Sequence, residues 1–159
     1  MAEKLAKHFK TAFVPEMARE IIEKTVDCTF DDLHKVADLH AKTILSKIST
    51  ANKLLFVDTD LIITKSYAQY LFNKELIVEQ WIEEANQFDL YLFMEPDGEY
   101  IQDGTRLSVK ERNALSNHHK TCFENAGISL VAISGNWEER FKKAITVTEQ
   151  ICFNKKAAS

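Results

Sequence analysis

The sequence predicts an α/β fold: a mostly parallel β-sheet as the middle of three layers, with helices on both faces. Three observations predict it. Short apolar runs recur along the chain: "AFV", "LLFV", "LYLFM" and "SLVAI". Between them lie stretches whose apolar residues repeat at helical spacing, and alternation of this kind implies parallel βαβ units. The carboxyl ends of the runs carry polar residues: Glu16, Asp58 with Asp60, Glu95 with Asp97, and Ser134 with Asn136. Ligands in open α/β sheets bind at those ends.

Composition narrows the function classes. A chain of 159 residues fits one domain, and 45% hydrophobic with 28% charged residues suits a folded core and a wetted surface. The net charge of -4, with no long basic run, argues against nucleic acid as the main partner. The amino terminus "MAEKLAKHFK" lacks the apolar core of a signal peptide. No apolar stretch reaches bilayer length, so no membrane partner is expected. Cys28, Cys122 and Cys152 are odd in number with no C-x-x-C, which reads as reduced thiols in a cytoplasmic protein.

The elements follow in order. "EKLAKHF" reads as a helix with Leu5, His8 and Phe9 on one face. "TAFVPE" is a strand stopped by Pro15, and "MAREIIEKT" returns to helical spacing. Thr29 and Asp32 stand at capping-box spacing before a long helix, with Leu33, Val36, Ala37, His40, Ile44 and Ile48 as its buried stripe. Leu54–Val57 is a continuous apolar run, the pattern of a strand covered on both faces. "TKSYAQYLF" and "VEQWIEEANQ" are helical, and "FDLYLFMEP" is a strand ended by Pro96. A polar, glycine-bearing stretch leads to a helix that Ser108 and Glu111 cap and Gly127 ends. "ISLVAIS" is a strand. Asn136 then caps a last helix, with Glu139 three residues on and Trp137, Phe141, Ala144, Ile145 and Ile151 inward. Residues 1–152 read as one domain, and 153–159 as a frayed tail.

Several residues can carry chemistry. Asp58, at the end of a buried strand, has the placement of a carboxylate that holds magnesium; the plainer alternative is a helix cap. Glu16 can accept or orient the proton of a substrate hydroxyl. Arg19, one turn on, can instead form an ordinary i,i+3 ion pair with it. "DGTR", Asp103 to Arg106, places an arginine where a loop can close over phosphates; the alternative is a turn followed by a surface arginine. His118 and His119 point different ways and read as a solvated pair. His40 reads as a satisfied histidine, Cys122 as packing, and Trp81 and Trp137 as core anchors, although Trp137 can also line a base pocket.

Together "FVPEMARE", "LLFVDTD", "EPDGEYIQDGTR" and "ISGNWEERF" resemble, in order and spacing, the nicotinamide riboside kinase domain of NadR-type NAD-biosynthesis proteins, a P-loop kinase of the nucleoside-kinase kind. The resemblance runs from about Glu3 to about Ile151. It implies a P-loop kinase-like fold, ATP and Mg2+ as cofactors, and nicotinamide riboside or a related nucleoside as acceptor. It implies that Glu16, Asp58 and Arg106 are catalytic, with Asp58 the metal ligand. Arg19, Asp60, Asp97, Tyr100 and Asp103 would bind substrate, and Asn136 and Trp137 would lie near the adenine. Tyr100 stands where the family usually has an aromatic, often tryptophan.

The family pattern opens with a strand and a glycine-rich loop ending in G-K-[ST]. Residues 1–159 contain no such loop: the four glycines are Gly98, Gly104, Gly127 and Gly135. Met1 falls inside the helix that follows the loop, so the resemblance implies an N-terminally truncated domain with its other half upstream. In the family that strand lies in the middle of the sheet, and without it two strands lack a partner. Their bare edges invite pairing with other chains, including a homo-oligomer. Three functions follow: a nicotinamide riboside kinase, a non-catalytic nucleotide or riboside binder or interaction remnant, and a P-loop kinase for another nucleoside.

Overall fold

The computed structural model describes residues 1–22, 27–97 and 108–157, with side chains of the last helix described through residue 153. Helix α1 (Ala2–Phe9) has Glu3 in its first turn and Lys7 in its last, matching the helix dipole. Its buried residues are Ala2, Leu5 and Ala6. The inner face is therefore turned from the one the sequence suggested: His8 is exposed, resting edge-on against Phe141. The small Ala2 and Ala6 let the backbone pack closely where His8 could not.

Strand β1 (Ala12–Val14) pairs in parallel with β2 (Leu55–Val57), with Phe13 opposite Phe56. The pair is extended by the Asp58 N–H, which donates to the Val14 carbonyl at 2.9 Å. Strand β3 (Tyr91–Met94) pairs in parallel with β4 (Leu130–Ile133), with Phe93 opposite Ala132. Among the described residues no strand joins β2 to β3, so the sheet is in two halves. Apolar central strands are normally covered on both faces. Here every residue of β2 and β3 is only half-buried.

A short helix α2 (Ala18–Ile21) follows β1. Helix α3 (Phe30–Ile48) starts with a complete capping box: the Asp32 N–H donates to Thr29 Oγ1, and the Thr29 N–H donates to Asp32 Oδ2. Its buried stripe is Leu33, Val36, Ala37, His40, Ala41 and Ile44. Ile48, expected in that stripe, is 55% exposed because the helix ends beyond the layer it packs on. Helix α4 (Leu61–Phe72) closes at Asn73 in the left-handed region, and α5 (Gln80–Ala85) follows. The main core lies between α3, α4 and α5, built on Leu33, Ala37, Ala41, Leu61, Leu76 and Ile82. Trp81 packs against it, as expected of an anchor.

Helix α6 (Val109–Asn125) begins at the Ser108–Glu111 capping box and ends before Gly127, whose φ of +69° suits a glycine. Helix α7 (Trp137–Ala157) starts at Asn136, whose Oδ1 accepts from the Glu138 and Glu139 N–H groups at 3.0 Å. The helix continues to Ala157, through most of the stretch that had read as a tail. Trp137 is not an inward anchor: it is 52% exposed, with Lys4 Nζ 5.3 Å over its ring. The buried positions of α7 are Arg140, Ala144 and Thr148. Among the described residues no helix is long and apolar enough to cross a membrane.

Candidate functional site

The space between β2 and β3 is a cavity of about 1410 Å³, lined at its polar end by Met1, Glu16, Asp58, Asp60 and Arg112. The backbone explains why these groups meet. β1 ends at Val14, and Pro15 stops it, so Glu16 leaves the sheet there. β2 ends in register beside it, at Val57, so Asp58 leaves at the same level. Thr59 then takes a φ of +68°, a costly conformation for a β-branched residue, and turns the chain so that Asp60 can start α4.

Arg19 Nε donates to Glu16 Oε2 at 2.5 Å. The ion pair that the spacing allowed is therefore formed, and it fixes the orientation of Glu16. Asp58 is open to solvent, yet packing around its carboxyl raises its pKa. The positive amino terminus lowers it, nearby Glu16 raises it, and Arg19 lowers it. Glu16, Arg19 and Asp58 thus share one electrostatic neighbourhood at the carboxyl ends of β1 and β2.

Asp60 stands at the start of α4. It is the helix cap, taking the part considered for Asp58: its Oδ1 accepts from the Ile63 N–H at 2.9 Å. It is 4% exposed, and its Oδ2 has no hydrogen-bond partner. Burial pushes its pKa up to about 6, against the backbone N–H groups of Ile63 and Ile62. A buried carboxylate left half-satisfied on a cavity wall costs stability, and such groups cluster at functional sites.

A second corner forms at the ends of β3 and β4. Asp97 Oδ2 accepts from the Gly135 N–H at 3.1 Å, and Asp97 pairs with Arg140. Arg140 Nε donates to the Gly135 carbonyl at 2.6 Å. Hydrogen bonding from Gly135 is the main reason that the Asp97 pKa is lowered. Asp97 therefore ties the end of β3 to the β4–α7 turn. The side-chain oxygen of Asn136 serves as the helix cap there, and Trp137 stands on the surface beside it. Tyr100, Asp103 and Arg106 lie outside the described residues.

Two residues were missed. Arg112 lines the cavity mouth and donates from Nη2 to the Pro96 carbonyl at 2.7 Å. Its signal was its place in the first turn after a capping box that follows the polar stretch. Tyr67 lines the same cavity from α4, two turns after Asp60. Its phenol pKa is raised by burial first, then by Glu16 and Cys28, so it sits near the Glu16 corner. His119 is also misjudged as solvated: it is buried, shares a hydrogen bond with Ser66 and meets the Tyr67 ring edge-on at 5.1 Å. Burial brings its pKa down to about 4. The Cys122 thiol pKa is raised by burial, which suits packing and not nucleophilic attack. A second cavity, of about 590 Å³ between α4, α5 and α6, holds none of the residues the sequence singled out as a site.

No described group of three or more His, Cys, Asp or Glu side chains is arranged to hold a metal. Asp58 fits magnesium in a narrower way. Magnesium is commonly held by one or two carboxylates, with water and substrate phosphates completing its shell, and a solvent-open carboxylate at a strand end suits that.

A family model described as an AAA domain matches residues 1–140. Curated relatives include the trifunctional NAD biosynthesis/regulator protein NadR of Escherichia coli (strain K12) and the protein of that name from Salmonella typhimurium. Each is 24% identical over 159 residues, covering 95% of this chain. The chain spans about 39% of the length of these relatives.

Proposed function

The chain belongs to the AAA domain family, matched over residues 1–140, and on that premise we propose that it carries the acceptor and metal side of an ATP-dependent nucleoside kinase, with nicotinamide riboside as its acceptor. The likeness to proteins named for NAD biosynthesis supports that choice of acceptor. The observation that carries the proposal is the meeting of Glu16 and Asp58 at adjacent strand ends, in one cavity with Asp60 and Arg112.

The roles follow from the geometry. Glu16, steadied by Arg19, accepts a hydrogen bond from the acceptor hydroxyl and takes its proton as that oxygen bonds to the γ-phosphorus of ATP and the bond from that phosphorus to the bridging oxygen breaks, releasing ADP. Asp58 is the residue that would hold magnesium, which, when bound with ATP, neutralises charge on the transferred phosphoryl group. Arg112 places a cation at the cavity mouth, where a phosphate would pass. Asp97 and Arg140 hold the end of β3 against the turn where the base of ATP would lie. The proposed roles of Arg106, Tyr100 and Asp103 rest on the sequence resemblance alone.

A second function is riboside or nucleotide binding without turnover, which would use the same strand-end acids in the same cavity. Mass-spectrometric detection of nicotinamide mononucleotide after incubation with ATP, Mg2+ and nicotinamide riboside separates the two, with other nucleosides run beside it. Product from the riboside supports the kinase, faster turnover of another nucleoside changes its acceptor, and binding without product leaves the second function.

A further inference from the structure

Helix α6 meets α4 through two adjacent histidines that do different things. His119 is buried and shares its Nδ1 with Ser66 Oγ. His118 is partly buried and turns its Nε2 to two other groups at once. The main-chain carbonyl of Ser66, in α4, lies 3.2 Å away, and Cys122 Sγ, one turn on in α6, lies 3.7 Å away. An imidazole nitrogen carries one hydrogen at most, so Nε2 cannot serve both groups well. The Tyr70 ring, its centre 5.4 Å from that of the imidazole, packs beside it. Cys122 and Ser66 also line the cavity of about 590 Å³ between α4, α5 and α6, so water can reach this corner.

We propose that His118 Nε2, Cys122 Sγ and the Ser66 carbonyl oxygen form a three-point site for a thiophilic divalent cation, Zn(II), which ties α6 to α4. The sequence supplies two of the three points, because residues four apart share one helix face. The third comes from packing, from a position 52 residues away. The spacing is that of a tetrahedral shell. With Zn–S about 2.3 Å and Zn–N and Zn–O about 2.0–2.1 Å, sulfur and nitrogen stand about 3.5–3.6 Å apart, and nitrogen and oxygen about 3.3–3.4 Å. The observed 3.7 Å and 3.2 Å fall close to both edges.

The donor set selects the ion. A thiolate and an imidazole suit zinc, whereas magnesium and calcium take oxygen ligands. The Ser66 carbonyl has two lone pairs, so its place in α4 leaves one for the metal. As the Zn–S bond forms, the Cys122 thiol gives its proton to solvent, and the imidazole keeps its one hydrogen on Nδ1. Water from the cavity takes the fourth position. The site has two side chains, so it stands apart from any cluster of three or more, and it shares no residue with the Glu16–Asp58 corner. Its effect reaches that corner through the helices. α4 starts at Asp60 and α6 carries Arg112, and both residues line the larger cavity. An ion between the two helices braces two of its walls.

The full chain, with its thiols reduced, is titrated with Co(II), a coloured stand-in for zinc, and the thiolate-to-metal charge-transfer absorption is followed. Cys122→Ser and His118→Gln each remove one ligand and keep a polar side chain of similar shape. The double variant Cys28→Ser, Cys152→Ser is the control, because it removes the other two thiols. The site predicts charge-transfer absorption that saturates at one Co(II) per chain, is displaced by Zn(II), and is retained in the control. Cys122→Ser should abolish it. His118→Gln should weaken Co(II) binding by more than about tenfold, since loss of even an outer-shell partner costs that much. No charge-transfer absorption in the parent overturns the proposal, as does its persistence in Cys122→Ser, its loss in the control, or unchanged affinity in His118→Gln. Saturation at one Co(II) per two chains also overturns it, because the shell is then completed by a second copy.

Discussion

Arg140, in the first turn of α7, reaches back across the strand ends to pair with Asp97 and at the same time donates to the Gly135 carbonyl. The pair joins two segments that the sequence separates by 43 positions. Arg140 is 8% exposed, so its charge is satisfied by these groups and not by water. The Asp97 pKa is lowered, chiefly by the Gly135 N–H. A carboxylate with a depressed folded pKa stabilises the fold above its unfolded value, here 3.8, and that stability is lost as pH falls through the folded pKa. Asp97→Asn should lower Tm at pH 7, and the gap to the parent should close below about pH 4. Thermal melts across that range check it.

Asp60 should behave in the opposite way. Its folded pKa, about 6, lies above the unfolded 3.8, so the native state holds the proton more tightly. Between those values stability falls as pH rises, and the penalty is complete above about pH 6. Asparagine also caps helices well. Asp60→Asn should therefore keep the start of α4 and raise stability at pH 7 by at most about 3 kcal/mol, with the gain shrinking toward pH 4. Denaturant midpoints at pH 4 and pH 7 give the comparison. A gain in stability with weaker riboside binding would mark Asp60 as a functional group kept at a structural cost.

His40 supplies the acid limb. It is 2% exposed, its Nε2 lacks a partner, and burial brings its pKa from 6.5 to about 4, against the side chain of Asn86. A histidine kept neutral by burial stabilises the fold above 6.5, and this is lost as pH falls from 6.5 toward 4. His40→Leu should flatten the decline of Tm over that window, whatever it does to Tm at pH 7.5. His119, lowered to about 4 for the same first cause, adds to the decline that remains.

The core holds Leu61 in one buried cluster with Leu33, Ala37 and Leu76. Leu61→Ala should cost about 3 kcal/mol, mostly through the cavity it leaves. Leu71→Ala, at a position 38% exposed on the same helix, should cost less than about 1 kcal/mol. Urea titrations of both variants test the assignment of the core.

What the sequence disclosed was local. The capping residues Thr29, Ser108 and Asn136 announce three helix starts because a cap is made within four residues. The apolar runs give the strands for the same reason. What stayed hidden depends on neighbours far along the chain. Nothing local tells Asp58 from Asp60 as the cap: the turn at Thr59 decides it. Nothing local says that His119 is buried, because its partner Ser66 lies 53 positions away. Trp137 and Ile48 follow the helical period yet are half exposed, because no element among the described residues covers them. Of the candidate site, Glu16 with Asp58 was legible as two strand-end acids, and the separation of β2 from β3 agrees with the bare edges foreseen. Arg112 and Tyr67 were not legible, since only the packing of α6 and α4 brings them to the cavity.

The central claim is that Glu16 and Asp58 form an acceptor site for a riboside. Isothermal titration of nicotinamide riboside into the chain and into Glu16→Gln tests it most directly. The account predicts heat of binding to the parent and an affinity lower by about tenfold or more in Glu16→Gln, the loss of one hydrogen bond to a charged group. No heat with the parent, or equal affinity for both proteins, would contradict it.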